Sequence, residues 1–271
     1  LDVSALRLRE TEAKLHQSVL AAAAAVAVAF QQLPAKLNPI IQPLMAATRR
    51  ERDEELQSEA AKAIAKLVKR AMSREKSPSG KICSNIFTMA CSCPETTPVA
   101  TESGEKKQEV VALAQTTTTG KSTKTNAASS SAKKVDDATA AAADVVDTDV
   151  PETVIAARGG AKALREFCQE FGDEVFTKLP TLMTPINDSL ALVNANNANA
   201  GGQLEATARQ TISNSCRVVS IVSEACTQTA FDVHLRPLTS KIFAAASSLK
   251  CHSVKTTASN ALAAMTTAHP D

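Results

Sequence analysis

The chain has 271 residues, a net charge of +2 and a pI near 8.2. That length can bury a substantial core, and so even a charge balance excludes a protein held to polyanions by bulk charge alone. Apolar content leans on alanine, with seven Phe and no Trp or Tyr, which favours closely packed helices over sheets.

The sequence begins at Leu1 rather than at methionine, which suggests a fragment or a processed piece. Its seven cysteines (Cys83, Cys91, Cys93, Cys168, Cys216, Cys226 and Cys251) are odd in number and scattered. A reducing compartment therefore fits better than a disulfide framework. The longest apolar run, Leu20–Phe30, is short of the roughly 20 residues a membrane span needs, so no membrane partner is expected.

In chain order, residues 5–32 read as one long helix or two abutting ones. Leu33-Pro34 ends that helix, because proline disfavours the α region in the residue before it. Proline is tolerated in a first turn, so Pro34 and Pro39 are expected to start the next helix, which runs to about Arg49. A third helix spans 52–73, with Asp53, Glu54 and Glu55 at its start and Lys69, Arg70 and Arg74 at its end, complementing the helix dipole. Ser77–Gly80 is a break, and 81–92 is a short amphipathic helix.

From Pro94 to Val150 the chain is dominated by Thr, Ser, Ala, Lys and Asp, with no aromatic residue. Such a segment buries too little to offset its ordering entropy, and is expected to be disordered. Helices are expected again at 152–171, 179–194, 204–227, 233–248 and 252–268, with turns at 194–202 and 250–253. The fold class is therefore all-α: a HEAT-like solenoid of antiparallel helix pairs at 1–93 and 151–271, interrupted by the insertion at 94–150.

Two templates repeat. Phe30, Leu33, Pro34, Pro39, Ile40 and Leu44 match Phe176, Leu179, Pro180, Pro185, Ile186 and Leu190 position for position. Leu56, Ala60, Ala63, Ile64 and Leu67 match Val254, Ala258, Ala261, Leu262 and Met265, and Ala156, Gly160, Ala163, Leu164 and Phe167 fit the same stripe. The spacing i, i+4, i+7, i+8, i+11 follows one helix face. Small residues on that face let a partner approach while the larger ones interlock.

No constellation points to catalysis, so the chain by itself is not expected to be an enzyme or to bind a cofactor. Gly120-Lys121-Ser122 resembles the end of a phosphate loop, but Gln115 stands where that loop needs glycine. Cys83, Cys91 and Cys93 lack a second ligand pair and read as structural thiols rather than zinc ligands. Arg158-Gly159-Gly160 resembles one RGG unit, and fits better as packing, because Gly160 falls on the small-residue stripe. Lys62, Lys66, Lys69 and Arg70 share one helix face, a candidate DNA-facing patch or, more simply, a solvated face.

The run FQQLPAKLNPIIQPLM at 30–45, carrying Leu33, Pro34, Leu37, Asn38, Pro39, Ile40 and Leu44, resembles the TATA-binding-protein-associated factor family. So do Glu54–Val68, Lys81-Ile82 ahead of Asn85, the stretch from Arg158 to Pro180, His234–Leu238 and Val254–Met265. The resemblance implies a segment of a HEAT array that precedes a Snf-type ATPase motor in a nuclear protein that removes TATA-binding protein from promoter DNA. It implies TATA-binding protein as a partner through the whole protein, promoter DNA as a candidate second one, and ATP as the motor's cofactor. None of the motor's motifs is in this chain, and no residue matches the family's contacts with TATA-binding protein. The alternative is a HEAT adaptor of another class, such as a transport receptor or phosphatase scaffold.

The stripe is testable directly. Ala60→Leu should overpack the helix contact and cost about 1–3 kcal/mol, and an unchanged melting temperature would remove the assignment.

Overall fold

The computed structural model describes residues 3–30, 33–99, 150–198, 205–249 and 251–270, and all their regular structure is helical. The long helices are α1 (Val3–Ala29), α2 (Asn38–Arg50), α3 (Glu54–Ala71), α4 (Ser79–Ala90) and α5 (Glu152–Phe171). After a 3-10 turn at Gly172–Glu174 come the short α6 (Val175–Lys178), then α7 (Pro180–Ala198) and α8 (Ala206–Ser223). The single turn α9 (Gln228–Ala230) leads through a π-helical turn (Phe231–Leu235) and a 3-10 turn (Arg236–Leu238) into α10 (Thr239–Ser248) and α11 (His252–Ala268). Gly120-Lys121-Ser122 and nearly all of the 94–150 segment lie outside the described residues.

Local chemistry accounts for several boundaries. Asp53 caps α3, its Oδ1 accepting the backbone N–H of Glu55 and of Leu56, each at 2.9 Å. Glu54 and Glu55 fill the first turn and Lys69 and Arg70 the last, so both ends suit the helix dipole. At α2 only Pro39 lies in the first turn. Pro34 sits in the preceding link, so it turns the chain without starting the helix. In the second copy Pro180 does open α7. The helix α7 also continues through Ala198, beyond the expected turn at 194.

Four helix pairs stack: α2 with α3, α4 with α5, α7 with α8 and α10 with α11, while α1 packs on α2 and α3. The second helices of the pairs run parallel to one another. Gln57 of α3 meets Ile155 near the start of α5, and Lys69 meets Glu170 near its end. Ser213 of α8 meets Thr257 of α11, and the Ser223 carbonyl at the end of α8 meets His269 beyond α11. This is the HEAT-like arrangement, and residues 100–149 fall between the two helices of the second pair. The described residues belong to one compact unit.

The core is continuous from Ala24 to Met265. Phe167, Leu44, Ile64, Leu67, Ile86, Leu164, Ile186 and Leu190 are among its fully buried side chains, each contributing roughly 1.5–3 kcal/mol. All five stripe positions are buried in α5, and four of the five in α11. In α3 Leu56 departs from the template and is 49% exposed, while its neighbour Gln57 is fully buried. The reason is polar: Gln57 enters the interior because its amide bridges two backbone carbonyls. The two Phe positions also differ. Phe30 falls beyond the last turn of α1 and is 66% exposed, whereas Phe176 in α6 is buried.

All seven cysteines are free thiols. Burial pushes Cys91, Cys168 and Cys216 up to about 12, and Cys83 and Cys226 up to about 11. Cys251 differs. Burial pushes it up as well, but hydrogen bonds from the Ser253 side chain and the Val254 backbone, with Arg209 nearby, bring it below its ordinary value. Thiolate is the reactive form. Titration of the native protein with a thiol-specific disulfide reagent should therefore show Cys251 reacting first. Cys251→Ser should remove that fast phase, and unfolding should release all seven thiols in wild type.

Candidate functional site

The densest set of long-range polar contacts among the described residues is a junction where α2, α3 and α5 meet. Thr48 near the end of α2 donates its hydroxyl to Leu44 O at 2.9 Å, and its own carbonyl points at α5. The Gln57 amide nitrogen donates to Thr48 O and to Ile155 O, each at 2.9 Å, which satisfies one carbonyl on each of two helices. Its amide oxygen accepts from Arg158 Nε at 2.7 Å. Arg158 also donates to Glu54 Oε1 at 2.8 Å, to Arg52 O at 2.7 Å and to Glu51 O at 3.2 Å. One guanidinium fork thus holds the end of α2, the α2–α3 link and the first turn of α3, which suits the five fixed donors of arginine.

Glycines bring the backbones this close. A Cβ at Gly159 would stand 1.7 Å from Thr48 O, and one at Gly160 would stand 2.4 Å from the Ala90 backbone nitrogen at the end of α4. Only a residue without a side chain allows either contact. The Arg-Gly-Gly triplet is thus a packing device joining the first pair to the second. Lys162, one turn on, donates to Glu54 O and pairs with its carboxylate at 3.7 Å. Burial lowers the Lys162 pKa, with Glu54 opposing.

Of the four basic residues of α3, Lys62, Lys69 and Arg70 are engaged within the chain, whereas Lys66 stands exposed on the surface. Lys62 pairs with Glu59 at 2.7 Å. Lys69 donates to Glu170 O at 2.6 Å and pairs with the Glu170 carboxylate at 3.2 Å. Arg70 donates to Val28 O and, at 2.6 Å, to Phe30 O at the end of α1. Burial raises the Glu166 carboxyl, against the opposing charges of Lys62 and Lys66. Arg74, just past the end of α3, does more than complement the helix dipole. It donates to Leu33 O and Pro34 O at 2.9 Å each, holding the Leu-Pro corner. The carbonyls at a helix end lack intrahelical partners, and these cations supply them.

The family-motif residues divide by role. Leu37, Ile40 and Leu44 enter the core and Leu33 packs against it, while Pro34, Asn38 and Pro39 lie at the surface. The four histidines stand apart. His16 and His252 are exposed, His234 meets the edge of Phe176, and His269 stacks on Phe231 at 4.0 Å. Among the described residues no group of three or more His, Cys, Asp or Glu could hold a metal, and no helix is long and apolar enough to cross a membrane. Sequence reasoning missed Gln57 and Arg158 as the junction's centre; the one signal was a glycine pair beside a small-residue stripe.

Gly159→Ala should destabilise the protein by about 1–3 kcal/mol or more, because backbone stands where its methyl would go. Gly80→Ala, whose Cβ would make an ordinary contact with Thr181 at 3.4 Å, should leave the melting temperature nearly unchanged. Equal melting temperatures for the two variants would contradict the junction.

A family model for a domain of unknown function, DUF3535, matches residues 1–184. Among curated proteins, TATA-binding protein-associated factor BTAF1 of Arabidopsis thaliana is 29% identical over 201 residues, covering 68% of this chain and 8% of that protein. TATA-binding protein-associated factor 172 of Homo sapiens is 40% identical over 92 residues, covering 32% of this chain and 5% of that protein. TATA-binding protein-associated factor MOT1 of Saccharomyces cerevisiae is 29% identical over 189 residues, covering 69% of this chain and 9% of that protein. The chain thus spans less than a tenth of the length of each. A family match over residues 1–184 takes in the Leu-Pro corner, the junction and the first two helix pairs, so the chain belongs to the DUF3535 domain family and is similar to the TATA-binding protein-associated factors.

Proposed function

We propose that this chain is a noncatalytic HEAT-repeat segment of a nuclear transcription regulator that displaces TATA-binding protein from promoter DNA. The ATP-hydrolysing motor lies outside these residues, and the segment transmits or positions. The observation that carries this reading is the sequence similarity to three proteins named as TATA-binding protein-associated factors. The geometry supports it in kind. Parallel second helices joined by polar ties, near both ends between α3 and α5, resist bending better than packing alone would, because each tie is lost if neighbouring helices shift by more than hydrogen-bond reach. ATP belongs to the motor, TATA-binding protein and promoter DNA are partners of the whole protein, and the segment supplies the stiff connection.

The test is a graft of this chain in place of the matched segment of the Saccharomyces cerevisiae relative. The chimera should free TATA-binding protein from promoter DNA when ATP is supplied. Arg158→Ala in the chimera should leave ATP hydrolysis near its starting rate and slow release of TATA-binding protein. A graft no better than the relative lacking the segment would overturn the reading.

A further inference from the structure

The helix α1 is apolar on two opposite sides. One side, with Ala21, Ala24 and Val28, is buried against α2 and α3. On the other, Leu15, Val19, Val26 and Phe30 are 68%, 57%, 56% and 66% exposed, with the exposed Ala22 and Ala23 between them. From Leu15 to Ala35 the sequence contains no Asp, Glu, Lys or Arg. A helix that is apolar all round is normally buried all round, and a contiguous exposed apolar face marks an interaction site. The helix at the far side of the stack, α11, shows the ordinary alternative. Its exposed positions include Lys255, Ser259, Asn260, Thr266 and Thr267.

Spacing and side-chain size together select the occupant. Leu15, Val19, Ala22, Ala23 and Val26 repeat the i, i+4, i+7, i+8, i+11 spacing of the stripes that pack helix on helix inside the stack. Such a face suits another helix. It is also symmetric in size about the Ala22–Ala23 bond. Outward from that centre come Val19 on one side and Val26 on the other, then Leu15 and Phe30. An antiparallel second copy, related by a two-fold axis through that midpoint, sets Val19 against Val26 and Leu15 against Phe30, each pairing occurring twice. Such self-complementarity is what a two-fold interface requires. The small centre lets the two helix axes approach closely, while the larger ends interlock. With no charge along the face, no like-charge pair opposes the contact.

We propose that α1 docks antiparallel on α1 of a second copy of this chain, burying Leu15, Val19, Val26 and Phe30 at a two-fold interface. The assignment rests on α1 alone, so it stands or falls separately from the scaffold reading.

The experiment is sedimentation velocity of the full 271-residue chain at roughly 100 μM, which should show a dimer. Val19→Glu and Val26→Lys, each at an exposed position, should each give a monomer, with circular dichroism confirming the fold. Ser259→Glu, exposed on α11, should leave the dimer unchanged. The register is read from mixtures. Val19→Glu with Val26→Lys should associate about tenfold or more tightly than Val19→Glu with Val19→Lys, because only the first mixture brings opposite charges face to face. Three results would overturn the proposal: a monomeric wild type, a dimer that survives Val19→Glu, or equal association of the two mixtures.

Discussion

The contact between the backbone of α5 and the last turn of α2 is the constraint on which the stack depends. Thr48 O lies where a side chain at Gly159 would begin, so α5 can occupy this position only with glycine there. Once it does, the carbonyls of Thr48 and Ile155 come within reach of a single amide, and Gln57 bonds to both. A buried amide without such partners would cost free energy, so the same residue that fixes the spacing would oppose any other. Arg158 then closes the assembly from outside by taking the carbonyls of the α2–α3 link. Because α5 follows residues 100–149 in sequence, this junction also reunites two stretches that are far apart along the chain.

The two layers of the stack are built differently. Second helices are tied by polar bonds as well as by packing: α3 to α5 through Gln57 and Lys69, α5 to α8 through Arg165 and Glu224, α8 to α11 through Ser213 and Thr257. First helices carry the prolines: Pro39 and Pro43 in α2, Pro185 in α7, and Pro237 in the broken segment. Each proline removes a backbone donor. Irregularity is thereby concentrated in the layer that is less cross-tied.

Much of this order was legible in the letters. The small-residue stripe needs only spacing, and α5 and α11 obey it closely; in α11 the buried hydroxyl of Thr257 is short enough to bond Ser213 without displacing its apolar neighbours. It failed at Leu56, because hydropathy ranks leucine above glutamine and carries no information about two waiting carbonyls. The paired templates failed differently at Phe30 and Phe176. The letters are identical, yet α1 ends one residue before Phe30, so that ring has no helical neighbour to pack against. The basic residues of α3 read naturally as a surface stripe. Which carbonyls stand opposite Arg70 and Arg74 depends on where α1 and its link come to rest, and no local pattern encodes that.

Cation placement connects these observations. At the end of α3, Lys69 turns toward α5 while Arg70 and Arg74 turn back toward α1 and the Leu-Pro corner. One helix end therefore serves the pair on either side of it. Carbonyls at helix ends accept and cannot donate, and the ends of α1 and α5 each take a donor-rich side chain from α3. The seam between α3 and α5 uses lysine. The α1 side, where several carbonyls diverge, uses arginine, whose planar fork reaches more than one at once. The basic stripe is thus engaged in part with carbonyls inside the stack, and the near-neutral total reflects 30 basic residues against 28 acidic ones.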